Sequence, residues 1–158
     1  MKTSEKGQGF IKTWEVLELE AYQDQAGVWT IGYGTTRYPE GNKVKAGDKI
    51  SPQGAEELFQ HDLQSFEGFI NRQNLRLSQQ QFDALVAFVY NVGASSFLSS
   101  TLLKVLRRNP DDLEAVRAQF VRWVYITDNG KKKISNGLVN RRAHEFKIYK
   151  SADYERKY

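Results

Sequence analysis

Val28-Trp29-Thr30-Ile31-Gly32-Tyr33-Gly34-Thr35-Thr36 decides how the rest of the chain is read. β-Branched and aromatic residues fill this stretch and glycines interrupt it, which marks a hairpin or small sheet. Asp24-Gln25-Ala26-Gly27, just upstream, is a turn by composition. Further upstream the period changes. Phe10, Ile11, Trp14, Val16 and Leu17 recur at helical spacing and predict a helix over 8–20. Downstream, Pro39-Glu40-Gly41-Asn42 reads as a second turn, and 43–50 as a short strand.

From Ser51 the pattern is helical. Ser51 is placed to cap a helix whose first residue is Pro52. Leu58, Phe59, Leu63, Phe66, Phe69 and Ile70 form its apolar stripe. Ser78-Gln79-Gln80-Gln81 has the form of a capping box and opens an apolar helix over 82–90, which Gly93 closes. A further helix is read over 102–108. Asn109-Pro110-Asp111-Asp112 is a stop and restart, and the next helix runs to about Tyr125. A polar loop over 131–136, a last helix over 138–150 and a fraying tail complete the reading. The architecture expected is α+β.

The chain has 158 residues, the size of one domain or of one domain with two lobes. Hydrophobic residues at 40% and aromatics at 13% build a core that needs no disulfide. There is no cysteine, which excludes a disulfide framework, a thiolate zinc site and a cysteine nucleophile. Lys and Arg number 23 against 19 Asp and Glu, a net charge of +4 that favours anionic partners and also serves solubility. The first residues, Met1-Lys2-Thr3-Ser4-Glu5-Lys6-Gly7, are polar, and no apolar stretch is long enough for a signal peptide or a membrane span. The expectation is synthesis in the cytoplasm without a signal peptide, and no stable membrane insertion.

Glu15, Asp24 and Thr30 are the residues that carry chemistry in this layout. A helix end, a turn and a hairpin strand present them, and all three elements can face one cleft. Two carboxylates across a cleft suit glycoside hydrolysis: one protonates the leaving oxygen, the other activates water or attacks carbon. The acid of such a pair works best partly buried beside apolar groups, and Trp14 is the neighbour available to Glu15. A threonine hydroxyl beside the second carboxylate helps to hold water. Each residue also has a plain structural role: a solvated glutamate among Glu18 and Glu20, a turn former, and a strand threonine. Trp123 suits either sugar stacking or a core. Gly32 and Gly34 serve tight hairpin geometry or close approach of backbone to substrate. His61 and His144 have no metal-ligand spacing with acids, so no metal and no cofactor is expected.

The segments 14–24 and 27–36, with Glu15 preceding Tyr22-Gln23-Asp24 and Thr30 opening Thr-Ile-Gly-Tyr-Gly, resemble the active-site signature of the phage-type lysozymes (endolysins) of glycoside hydrolase family 24. The likeness continues in order through 44–51, 81–93, 99–103 and 137–145, so that it covers roughly residues 10–150. Two positions depart from the family pattern: Val16 follows the glutamate where glycine is usual, and Thr35 stands where many members have a nearby histidine.

The resemblance implies an α+β, lysozyme-like fold over 1–158. A small N-terminal β-hairpin lobe (about 15–60) is joined by a long helix to a helical C-terminal lobe (about 61–150 plus the N-terminal helix), with a cleft between the lobes. It implies an endolysin that hydrolyses the β-1,4 bond between N-acetylmuramic acid and N-acetylglucosamine in peptidoglycan, for host cell lysis. Glu15 is then the general acid, and Asp24 with Thr30 positions water on the opposite face. Such inverting chemistry separates the carboxyl groups by roughly 6.5–9.5 Å. Gly32, Tyr33 and Asn91 are candidate substrate-binding residues, and Arg141 and Arg142 are candidates to orient Glu15. The partners implied are peptidoglycan glycan strands and a holin for release, with the enzyme a monomer. Two other readings compete: a cell-wall-binding or structural lysozyme-like domain, against which the intact Glu15, Asp24 and Thr30 weigh, and a small basic nucleic-acid binder. No helix-turn-helix or other reading motif supports the latter, so no nucleic-acid partner is expected.

Overall fold

The computed structural model describes residues 1–156. By internal contact the chain divides into two compact units, one of 11–65 and one of 1–10 with 66–158.

Helix α1 spans Glu5–Trp14. Ser4 caps it, its Oγ accepting the Gly7 amide at 3.1 Å, and Glu5 supplies a negative charge in the first turn. The helix expected over 8–20 ends early: the Glu15 amide closes the last turn on the Ile11 carbonyl (3.1 Å), and Glu18–Gln23 is strand β1. Helical spacing was the wrong period there. Val16 is 71% exposed and Leu17 and Leu19 are also exposed, so they form no buried helical stripe. β1 instead pairs antiparallel with β2 (Trp29–Gly32), Tyr22 opposite Thr30 and Gln23 opposite Trp29.

That register sorts the side chains of the hairpin. Ala21 and Trp29 pack against the cluster of buried Ile31, Val44 and Leu58, together with Tyr38 and Ile50. Positions 21, 23, 29 and 31 therefore share the core-facing side, and 22 and 30 share the other. The turn at Pro39-Glu40-Gly41-Asn42 forms, the Gly41 amide donating to the Tyr38 carbonyl at 2.9 Å. The strand expected over 43–50 shrinks to isolated bridges, Lys43 with Arg37 and Lys49 with Glu20, the latter flanked by backbone bonds from Ala21 to Asp48 and from Ile50 to Leu19.

Helix α2 (Pro52–Asn71) begins where Ser51 and Pro52 place it, the Gly54 amide bonding to Ser51 Oγ at 3.0 Å. α3 (Gln79–Val92) opens with the expected capping box at Ser78 and Gln81 and closes on Gly93; every residue from Gln81 to Val89 is buried. α4 (Ala94–Leu98) is a short helix that the sequence reading did not separate. α5 (Thr101–Arg108) is capped by Ser100, and α6 (Leu113–Phe120) by Asp112. α6 stops at Phe120 rather than Tyr125. Strands β3 (Tyr125–Asp128) and β4 (Lys131–Ile134) follow, forming a second hairpin where a polar loop was expected. Its turn is Asn129-Gly130, both with positive φ (49° and 76°), the geometry that two-residue hairpin turns require. α7 (Asn136–Ser151) starts under the Ser135 cap.

The helical unit is organised around α3, packed most extensively against α7. Phe88 of α3 meets Phe120 (5.1 Å between ring centroids) and takes Trp123 edge-on at 5.7 Å, so Trp123 is a packing residue. Its amino-terminal end is anchored through Asp83, 1% exposed. This carboxylate accepts from the Ser4 amide (3.0 Å), the Ser4 hydroxyl, the Gln79 side chain (2.8 Å) and the Tyr154 hydroxyl (2.7 Å). The tail expected to fray is thus tied down as far as Tyr154, and burial followed by the bond to Asp83 pushes that phenol up to about 12. Asp83→Ala leaves these donors without their acceptor and is expected to destabilise the protein by about 2–3 kcal/mol, measured as a fall in urea midpoint at unchanged slope.

Candidate active site

Asp24 builds the hairpin turn with its own side chain. Its Oδ1 accepts the amides of Ala26 and Val28, both at 2.9 Å, and its backbone bonds to Val28 and Gly27 close the loop. Both bonds fall on one oxygen. Among the described residues Oδ2 accepts none, and the side chain is exposed. Thr30 is 4% exposed and donates its hydroxyl proton to the Val28 carbonyl at 3.0 Å. The lone pairs of its oxygen are left as acceptors. Glu15, half-buried, sits one residue past α1. Burial first, and then the negative charges of Glu15, Glu18 and Asp24, push the Tyr22 phenol upward. The two carboxylates singled out from the sequence therefore act on a single hydroxyl, although separate elements supply them.

Beyond β2 the chain reverses within three residues. Ile31 and Thr35 exchange both backbone hydrogen bonds at 2.9 Å, and Gly32 and Gly34 take φ of 67° and 94° inside the loop. A Cβ at Gly32 would meet nothing closer than 3.5 Å, so glycine is needed there for conformation rather than for space. Tyr33, expected to bind substrate, packs edge-on against Phe59 at 5.4 Å, with the Lys12 ammonium 5.3 Å from its ring and 2.5 Å from Glu56.

Thr35 has a defined task. Its side chain is buried and donates to Asp62 Oδ2 at 2.6 Å, while His61 lies 3.6 Å from the other carboxylate oxygen. Burial holds Asp62 above the usual aspartate range, against the lowering effect of these two donors. Nothing in the sequence paired 35 with 62, since a threonine hydroxyl carries no charge pattern.

In the helical unit Arg141 and Arg142 both engage Glu145, which the sequence reading did not single out. Arg141 Nε lies 2.9 Å from Glu145 Oε1 and Arg142 Nε 3.0 Å from Oε2; all three side chains are buried, Glu145 completely. Arg141 also donates to the Ala87 carbonyl (3.0 Å), and Arg142 to Asn91 Oδ1 (2.5 Å) and over the Phe88 ring at 4.9 Å. Asn91 therefore ties α3 to α7. Burial, only partly offset by Glu145, lowers Arg142 to about 10. The i, i+3 and i, i+4 spacing of 142, 141 and 145 was the available signal.

The α+β architecture, with its glycine-punctuated hairpin and paired acids, is that of the lysozyme-like glycosidases. The sequence profile of the phage lysozyme family matches residues 12–145, and the chain belongs to that family. It is 39% identical over 153 residues to the endolysin of Acyrthosiphon pisum secondary endosymbiont phage 1, covering 96% of this chain and all of that one. It is 36% identical to the endolysin of Salmonella phage P22 over 78% of this chain and 84% of the relative. Among solved structures, the endolysin from Escherichia coli O157:H7 phage FAHEc1 superposes with a TM-score of 0.87 at 41% identity, covering 99% and 98% of the two chains.

Two outcomes follow from this geometry. Glu145→Gln leaves two buried guanidinium groups without their counter-charge and is expected to cost roughly 3–5 kcal/mol, read by urea unfolding. Asp62 has a raised pKa in the folded state, so folding binds its proton more tightly than the unfolded chain does. The stability it contributes is full below its ordinary value of 3.8 and declines as pH rises through its raised folded value. Asp62→Asn keeps an acceptor for Thr35 and lacks this titration. Melting temperatures across the acidic range should therefore show the unsubstituted protein losing ground to the variant as pH rises.

Proposed function

We propose that the chain is an inverting muramidase that cleaves the β-1,4 bond between N-acetylmuramic acid and N-acetylglucosamine in peptidoglycan, and that it lyses the host of a phage. The observation that carries this reading is the division of hydrogen bonds at the hairpin. Asp24 commits one carboxylate oxygen to the turn and keeps the other, while Thr30 gives away its proton and keeps its lone pairs. A water molecule then has two acceptors for its two hydrogens and an oxygen lone pair aimed at carbon. As water attacks the anomeric carbon, its proton passes to Asp24. Glu15 protonates the glycosidic oxygen, the C–O bond breaks, and the electron pair leaves with that oxygen. The configuration at the anomeric carbon inverts because water enters opposite the leaving group.

Arg141 and Arg142 are held by Glu145, and Asn91 engages Arg142, within the helical unit. Gly32 sets the backbone path between Thr30 and Tyr33. The enzyme acts as a monomer on glycan strands. Among the described residues no helix is long and apolar enough to cross a membrane. Passage to the wall therefore depends on a lesion made by a holin-type partner.

Glu15→Gln is expected to lower the hydrolysis of purified peptidoglycan by about a hundred- to ten-thousand-fold, the contribution of a positioned general acid, with little change in melting temperature. Mass analysis of the digest should show fragments ending in reducing N-acetylmuramic acid. Anhydro ends would assign a transglycosylase instead, and free stem peptides an amidase.

A further inference from the structure

The hairpin places one more polar group beside Asp24 and Thr30 that the reaction has not used. Tyr22 lies directly opposite Thr30 in the β1–β2 register, on the side of the hairpin turned away from the Ile31, Val44 and Leu58 cluster. Directly opposed residues of an antiparallel pair have neighbouring side chains on one face. The phenol is far longer than the threonine side chain, so its hydroxyl reaches past Thr30. The residue is 38% exposed, and among the described residues its hydroxyl makes no hydrogen bond. A phenol with no partner, standing beside a buried threonine whose own hydroxyl is oriented, is an open donor on the water side of the site.

We propose that the Tyr22 hydroxyl donates a hydrogen bond to an oxygen of the sugar residue whose anomeric carbon the water attacks, making Tyr22 a substrate-contacting residue. This rests on the reading of Asp24 and Thr30 as the water-holding pair. The surrounding charges support it: Glu15, Glu18 and Asp24 all disfavour a phenolate, so the group stays protonated and acts as a donor. A donor fits the ligand, since hydroxyl and acetamido carbonyl oxygens of an amino sugar accept, and the nearby carboxylates cannot supply a hydrogen bond to them while ionised. Gln23 and Trp29, the next pair along the register, lie on the other face and offer no equivalent contact.

The test is Tyr22→Phe, which keeps the ring and its packing and removes only the hydroxyl. Its kcat/KM on soluble peptidoglycan fragments should fall about 3–10-fold, the effect of one neutral hydrogen bond, with an unchanged melting temperature. In a Glu15→Gln background, which holds substrate without turning it over, Tyr22→Phe should weaken binding of an N-acetylglucosamine–N-acetylmuramic acid oligosaccharide by a similar factor in calorimetry. Unchanged binding in that background overturns the proposal, whether or not activity falls, because a loss of activity alone would then reflect an indirect effect. Retention of full hydrolysis by Glu15→Gln itself would instead overturn the assignment of the acid, and Tyr22 would then be judged in the unsubstituted protein, where an unchanged KM for Tyr22→Phe overturns the contact.

Discussion

Two backbone amides converge on a single oxygen of Asp24, and the register of the first hairpin follows from them. Fixing Ala26 and Val28 fixes where β2 starts, and hence which residues of β2 face which residues of β1. Because side chains alternate along a strand, a slip of one position would move Thr30 to the core side and bring Trp29 or Ile31 out of it. In the proposed reaction the same carboxylate takes the proton of water, so the unit that must be placed most accurately is also the one that does the placing. A turn made by a side chain ties conformation and chemistry to one residue, whereas a turn made by glycine alone would leave the carboxylate free to wander.

The helical unit solves a different problem. Burying Arg141, Arg142 and Glu145 together removes three charges from water, and their mutual arrangement helps to offset that cost, with the bonds to Ala87 and Asn91. Glu145 spans both guanidinium groups, its Oε1 accepting from Arg141 Nε at 2.9 Å and from Arg142 Nη2 at 3.2 Å. Arg142 then has a further donor left for Asn91 and lies over the face of Phe88, so α3 and α7 are joined by a directional contact as well as by apolar packing. Arginine suits this because its fork holds several partners in one plane.

Much of this was legible in the residues. The caps at Ser51 and Ser78 gave starting points that the structure repeats, because a cap is a local hydrogen bond and needs no tertiary context. The errors came where two periods compete. Val16 and Leu17 continue the helical spacing of Phe10, Ile11 and Trp14, and only the pairing of the next residues with β2 and with the segment at Lys49 shows that the helix has ended. At Asn129-Gly130 the hairpin signal was present but lay among lysines, and four exposed residues in β4 give no alternation to read. The family's motif pointed to Glu15, Asp24 and Thr30, while Glu145 and the Thr35–Asp62 bond were silent. Asp62 is distant from Thr35 in the chain, and Glu145, though close to its two arginines, looks like any solvated helix glutamate until its burial is known.

The division of the chain has a consequence for how it is made. Residues 11–65 form their contacts among themselves, so this unit is complete as soon as its own stretch has left the ribosome. The other unit is split around it. Ser4 must wait for Asp83, and Asp83 in turn for Tyr154, 71 residues further on. Contacts of such wide sequence separation form slowly, since the loop they close must first be found. Thr3 and Ser4 therefore stay uncommitted until partners 64 and 79 residues further on, Glu67 and Asp83, have been made. The helical unit closes around both ends only after the hairpin unit has already taken shape.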